Sequence, residues 1–122
     1  MKLERKSEGK QAVVLALSGS LQGGPDAERF SDEIDRLLAE GRRNVLLDLE
    51  HVTRVTSTGL GILLAGHASL RRAGGAMKIV NLSDHLESLF TITKLSLVFE
   101  VFGDEVEALR SFRSGSDGST SE

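Results

Sequence analysis

The apolar residues of this chain fall into two alternating patterns. Ala12-Val13-Val14-Leu15-Ala16-Leu17 is a continuous apolar run, and Asn44-Val45-Leu46-Leu47-Asp48-Leu49 and Met77-Lys78-Ile79-Val80 are nearly so. Such runs predict strands, and the one around Val45–Leu49, apolar at nearly every position, predicts a strand covered on both faces. Between them the spacing becomes helical. Ala27, Phe30, Ile34, Leu37 and Leu38 share one face up to Gly41, and Leu60, Leu63, Leu64, His67 and Leu70 share another up to Gly74-Gly75. Leu86, Leu89 and Phe90 follow a cap at Ser83 or Asp84. Each pattern predicts an amphipathic helix with its own stop or start signal.

The weaker signals fill in the rest. Leu3 opens a short edge strand, and Gly9-Lys10 turns a hairpin into the first apolar run. Residues 18–26 read as a loop, and Pro25 suits the first turn of the helix that follows. Val52 and Val55 tuck the connection after Leu49 against the core. Leu97-Val98-Phe99-Glu100-Val101 predicts a last strand, and Asp104 starts a final helix carrying Val106 and Leu109. The order β-β-α-β-α-β-α-β-α predicts an α/β fold: a mostly parallel mixed sheet, about four helices and right-handed crossovers. The first strand is the expected antiparallel exception. One domain is predicted over residues 1–113, followed by a disordered Ser/Gly-rich acidic tail over 114–122.

Composition narrows the function. The chain has 122 residues, is 39% hydrophobic and carries 15 basic against 18 acidic residues, a net charge of -3. That suits one compact domain and gives no basic field large enough for a nucleic-acid backbone. The pairs Arg42-Arg43 and Arg71-Arg72 flank predicted helix ends, where positive charge suits the helix C-terminus better than it suggests a phosphate patch. No cysteine is present, so disulfides and thiolate metal sites are excluded. Residues 1–6 are charged and lack an apolar signal core, and no apolar run approaches a membrane span. A cytoplasmic protein without membrane insertion is expected.

Candidate chemistry concentrates at Val55-Thr56-Ser57-Thr58-Gly59-Leu60-Gly61, where an extended run gives way to a helix. A hydroxyl there sits beside unpaired backbone N–H groups and the positive end of a helix dipole. That environment welcomes an anion, including a phosphate placed on the serine itself. Ser57 is therefore read as a switch. A nucleophile would need a base held by a third group, and His51 is the only histidine suitably placed. His67 falls on an apolar helix face and His85 at an exposed helix start. Ser57 also lacks the preceding glycine of a Gly-x-Ser-x-Gly elbow, so a small serine hydrolase is a remote alternative. Gly59-Leu60-Gly61 is not a dinucleotide fingerprint, and no phosphate loop or metal-ligand spacing occurs. Asp48 reads as a strand end that satisfies nearby backbone donors.

This order, together with Leu47-Asp48-Leu49, Val52, Val55 and Ser57-Thr58-Gly59-Leu60-Gly61, resembles the STAS domain of bacterial anti-sigma factor antagonists. Gly74-Gly75 and the run from Leu89-Phe90 to Leu95 match as well, and the resemblance extends to about Phe112. It implies a protein that binds an anti-sigma factor, usually a serine kinase of the histidine-kinase-like ATPase type, and so frees a sigma factor. It further implies phosphorylation of Ser57 by that kinase, loss of the complex, and recovery through a serine phosphatase. The implied contact surface is Thr56, Ser57, Thr58, Gly59, Leu60 and Gly61, with Gly23, Gly24, Pro25 and Asp26 beside it. Neither cofactor nor metal nor catalytic residue is implied, and the oligomeric state is open. Two positions depart from the family pattern. Thr56 stands where the family often has Asp, and Leu21-Gln22 stands where it often has an acidic residue. These departures leave a second reading: a STAS scaffold or sensor subunit of a signalling or transport complex, without phosphorylation.

Overall fold

The computed structural model of the protein describes residues 1–117, with side chains described through Phe112. The elements are β1 (Lys2–Glu8), β2 (Val13–Leu21), α1 (Pro25–Ala39), β3 (Asn44–Val55), α2 (Ser57–Arg72), β4 (Ala76–Val80), α3 (Asp84–Ile92), a single 3₁₀ turn (Leu95–Leu97), β5 (Val101–Phe102) and α4 (Glu105–Asp117). Their order is the expected one. The five strands lie in the sheet in sequence order, β1-β2-β3-β4-β5. β1 pairs antiparallel with β2, and the other three pairings are parallel.

The two-sided strands have two sets of cover. Val13, Leu15 and Leu17 of β2, Val45, Leu47 and Leu49 of β3, and Met77 and Ile79 of β4 meet Phe30, Ile34, Leu63, Leu70, Leu86 and Phe90 of α1, α2 and α3. The alternate residues Val14, Leu46 and Val80 meet Ala108 and Phe112 of α4. Alternation across the pleat therefore explains why these runs are apolar at nearly every position. Both α1 and α2 end in the same way. The N–H of Gly41 bonds Leu38 O and that of Arg42 bonds Leu37 O; the N–H of Gly74 bonds Arg71 O and that of Gly75 bonds Leu70 O. Gly41 and Gly74 hold the left-handed conformation this double bond requires, at φ 83° and 89°.

Successive residues of the edge strand β1 clamp opposite faces. Arg5 bonds the buried Glu33 of α1 at 2.6 Å and holds both oxygens of Glu40. Lys6 bonds the buried Asp48 of β3 at 2.7 Å and Glu105 of α4 at 3.0 Å. The Glu40 and Asp48 carboxyls are both held below the ordinary carboxylate range. For Glu40 the cause is the Arg5 hydrogen bond; for Asp48, burial pushes upward but hydrogen bonds from Lys6, Glu50 N–H and Asn81 outweigh it.

Several expectations are corrected. Ser18-Gly19-Ser20-Leu21 is strand, not loop, and the connection through Val52 to Val55 continues β3. Asp48 lies inside β3 and not at its end, although one of its oxygens does accept the Glu50 N–H at 3.0 Å. The expected strand at Leu97–Val101 is reduced to Val101–Phe102, with Leu97 82% exposed at the end of the 3₁₀ turn. Leu64 and Val106 face outward, while Ile62 and Ala108 take the buried positions on their helices. α4 runs through Asp117, past the expected boundary after residue 113. The remaining tail expectation, residues 118–122, lies outside the described residues.

Candidate functional site

Ser57 occupies the first position of α2, at the C-terminal edge of the parallel strands. The local structure follows from three hydrogen bonds and one steric contact. The Thr56 N–H donates to Leu21 O at 3.1 Å, which ties the end of β3 to the end of β2. The Thr56 hydroxyl donates to Gln22 O at 3.0 Å and accepts the Gly59 N–H at 3.1 Å. Thr56 is thus the N-cap, satisfying one of the free donors of the first turn. The remaining contact is steric. A Cβ on Gly59 would lie 2.2 Å from Leu21 O, so only glycine lets α2 begin this close to β2. Gly61 is different: nothing lies within 4 Å of its open side.

The outcome for Ser57 is an exposed side chain whose hydroxyl makes no hydrogen bond among the described residues. The capping role that a serine at such a junction often takes belongs to Thr56. The first turn of α2 also contains no acidic residue, whereas α1 has Asp26 and Glu28, α3 has Asp84 and Glu87, and α4 has Glu105 and Glu107. Among the four α-helices, only α2 has no acidic residue in its first turn to offset its partial positive charge.

The structure brings the two predicted segments together. A Cβ on Gly23 would come within 2.8 Å of the Thr58 methyl, so the loop before α1 lies against the first turn of α2. Gly24, Pro25, Ser57, Thr58 and Gly61 are exposed, and Gly23, Asp26 and Thr56 are half-buried. Gly59 and Leu60 are buried, and support this surface from beneath. Asp26 is engaged with its own loop, accepting the Gln22 N–H at 3.3 Å. His51 sits on β3 with Nε2 3.8 Å from Glu50, and no hydrogen bond links it to Ser57. His67 packs 4.9 Å from the Phe99 ring, and its Nδ1 accepts the Met77 N–H.

Sequence reasoning missed one feature of this surface. A groove of about 310 Å³ runs between α1 and α2 from Thr58 and Gly61, floored by Phe30, Ile34 and Ile62. Its signal was present in the small residues Ala27 and Ser31 on one helix and Gly61, Ala65 and Ser69 on the other. A spacing of four aligns such residues along one helix face. Among the described residues no group of His, Cys, Asp and Glu is arranged to hold a metal ion. No described helix is long and apolar enough to cross a membrane.

Comparison with known proteins agrees with this fold. The family model described as "Mlab, STAS domain" matches residues 4–99. BtrV of Bordetella bronchiseptica is 28% identical over 83% of this chain and 87% of its own length. The anti-sigma-B factor antagonist of Bacillus subtilis is 34% identical over 52% of this chain and 59% of its own length. Among solved structures, the anti-sigma factor antagonist SpoIIAA in its unphosphorylated form superposes with a TM-score of 0.70 at 19% identity, covering 92% of this chain and 98% of SpoIIAA. The phosphorylated form of the Bacillus protein gives 0.69 at 20% identity, covering 90% and 98%. These structural matches establish the fold, and the family model, spanning most of the chain, establishes the family. The chain belongs to the STAS domain family that includes the anti-sigma factor antagonists.

Proposed function

We propose that the protein binds an anti-sigma factor through the exposed surface around Ser57, Thr58, Gly61 and the Gly23–Asp26 loop, and that phosphorylation of Ser57 turns this binding off. The observation that carries the reading is the exposed Ser57 hydroxyl, without a hydrogen bond among the described residues, at the start of the one α-helix lacking an acidic residue in its first turn. A phosphate there adds about -1.5 to -2 charges. Toward the protein itself that charge is favourable, because it meets the positive end of α2. Toward a docked partner it is unfavourable, because a close contact must strip its water or face it with repulsion. The mark therefore changes the surface without unfolding the domain. The partner fitting this reading is an anti-sigma factor that is itself a serine kinase of the histidine-kinase-like ATPase type, with a phosphatase to restore the hydroxyl.

Thr56 does not obstruct the switch. Its hydroxyl is committed to the cap, which distinguishes it from Ser57 as an acceptor. The absence of a carboxylate at Thr56 and Gln22 lowers the repulsion a phosphate would meet.

The test is a pull-down from native lysate with wild-type, Ser57→Ala and Ser57→Asp baits, together with mass-spectrometric mapping of phosphate after incubation with the captured fraction and ATP. The proposal predicts that a histidine-kinase-like ATPase is captured by wild type and Ser57→Ala, not by Ser57→Asp, and that phosphate appears on Ser57 alone. Capture of one transporter or scaffold component by all three baits, without phosphate on Ser57, would replace it with the scaffold reading.

A further inference from the structure

Arg42, Arg43 and Arg71, from the two basic pairs noted in the sequence, line adjoining cavities at the opposite end of the sheet from Ser57. α2 carries Arg71 about 21 Å along its axis from Ser57, at 1.5 Å per residue. There Arg43, Asn44, Arg71, Gly75, Lys78 and Glu100 line a cavity of about 300 Å³. A second cavity of about 290 Å³ shares Arg43 and Asn44 and adds Lys10 and Arg42. Arg43, Arg71 and Lys78 thus line the first cavity and Lys10, Arg42 and Arg43 the second, five cations from four segments of a net-acidic chain.

Helix capping does not account for them. The last carbonyls of α1 and α2 are already satisfied by the backbone N–H groups of Gly41, Arg42, Gly74 and Gly75. The Arg42 guanidinium is anchored on Gly9 O. Arg43 and Arg71 are exposed and have no carboxylate partner among the described residues. Glu100, the one acid lining the first cavity, is 2.8 Å from Lys78, so these two charges offset each other and Arg43 and Arg71 carry the cavity's net positive charge. Lys78 is held in place by Ser111 Oγ at 2.9 Å and by the Phe112 ring, 4.7 Å from its ammonium. Asn44 accepts the Ala76 N–H through Oδ1, which leaves its NH₂ donors for a ligand.

The geometry points to a binding site for a phosphate-bearing small molecule in this cleft. Two guanidinium forks from separate elements match the paired oxygens of a phosphate, and Asn44 supplies a neutral donor. The volume of each cavity is at the small end of ligand sites and suits a phosphate or pyrophosphate group. The adjoining cavity with Lys10 gives a second phosphate somewhere to lie.

The experiment is a titration of the full chain with inorganic pyrophosphate, followed by ¹H–¹⁵N NMR. Saturable shifts confined to Asn44, Gly74, Gly75 and Ala76 are expected, with affinity falling about tenfold or more in Arg43→Gln/Arg71→Gln and unchanged in Arg54→Gln. Cosedimentation with phosphatidylcholine vesicles containing phosphatidic acid, abolished by the same double substitution, would assign the phosphate to a lipid headgroup; its absence assigns it to a free molecule. No saturable shift at about 10 mM pyrophosphate, or equal weakening by Arg54→Gln, overturns the site. The outcome is independent of Ser57, so it neither supports nor undermines the switch.

Discussion

At the residue scale, two glycines two positions apart do different work. Gly59 sets how near α2 lies to Leu21, and a methyl there meets a backbone oxygen that cannot move aside. Gly59→Ala should therefore destabilise the domain by about 1–3 kcal/mol, the usual cost of overpacking. Gly61→Ala meets nothing within 4 Å, and should gain about 0.5–1 kcal/mol from the better helix former. The chain has no Trp or Tyr, so far-UV circular dichroism during urea unfolding is the suitable readout. Equal effects of the two substitutions would remove the distinction drawn here. Ser57→Asp should leave stability unchanged or raise it by about 0.3–1 kcal/mol, because it supplies the missing charge at the α2 N-terminus. The place of Ser57 at the junction of strand and helix was legible in the sequence; which neighbour capped the helix was not. Thr56 and Ser57 are both competent caps, and the choice is settled by Gln22 O and Leu21 O, which accept the Thr56 hydroxyl and N–H from a segment 34 and 35 residues away.

At the element scale, the sequence was read correctly where periodicity is regular and misread where it is not. β3 beyond Leu49 buries only Val52 and Val55, a spacing of three that breaks the alternation of a strand. Register shifts between Ala16 and Ser18 and between Gly19 and Ser20 of β2 produce it. The opposite error arose at Leu97–Val101. Its apolar, β-branched composition suggests a strand, but Lys94 turns left-handed at φ 63° and a 3₁₀ turn follows. Phe99 then enters the core between His67 and Phe90. That packing makes His67 a pH-sensitive element. Burial, and then the charge of Arg71, hold its imidazole below its ordinary value, and the Met77 N–H requires Nδ1 unprotonated. In this state the unfolded chain binds the proton more readily, so stability is full above about pH 6.5 and falls as the pH drops below it. Urea unfolding at a series of pH values between 7 and 5 should show that decline in wild type and a flatter profile in His67→Gln. Identical profiles would show that His67 does not govern it.

At the scale of the whole molecule, one sheet separates two kinds of surface. Its C-terminal edge presents Ser57 on a largely uncharged patch made of small residues, and its N-terminal edge gathers Arg43, Arg71 and Lys78. β1 holds the assembly from one side, its Arg5 reaching to α1 and its Lys6 to β3 and α4. Because Asp48 is held below the ordinary carboxylate range, the Lys6 clamp contributes above about pH 4 and is lost as acid protonates it. Lys6→Met should therefore lower the thermal midpoint at neutral pH and weaken its dependence on acid, as followed by calorimetry; an unaltered acid limb would assign that dependence to other carboxylates. The fold class and element order were legible because the strands are covered on both sides. Long-range pairs such as Lys6 with Asp48 were not, since nothing local in the sequence marks which cation crosses the sheet.

The central claim is that charge on Ser57 abolishes partner binding without disturbing the fold. Isothermal titration of the captured partner with wild type and Ser57→Asp, beside the thermal midpoint of each, tests it most directly. The account predicts at least about a tenfold weaker Kd, roughly 1.4 kcal/mol, with an equal or higher midpoint for Ser57→Asp. Equal affinity of the two proteins, or loss of binding together with a lowered midpoint, would contradict it.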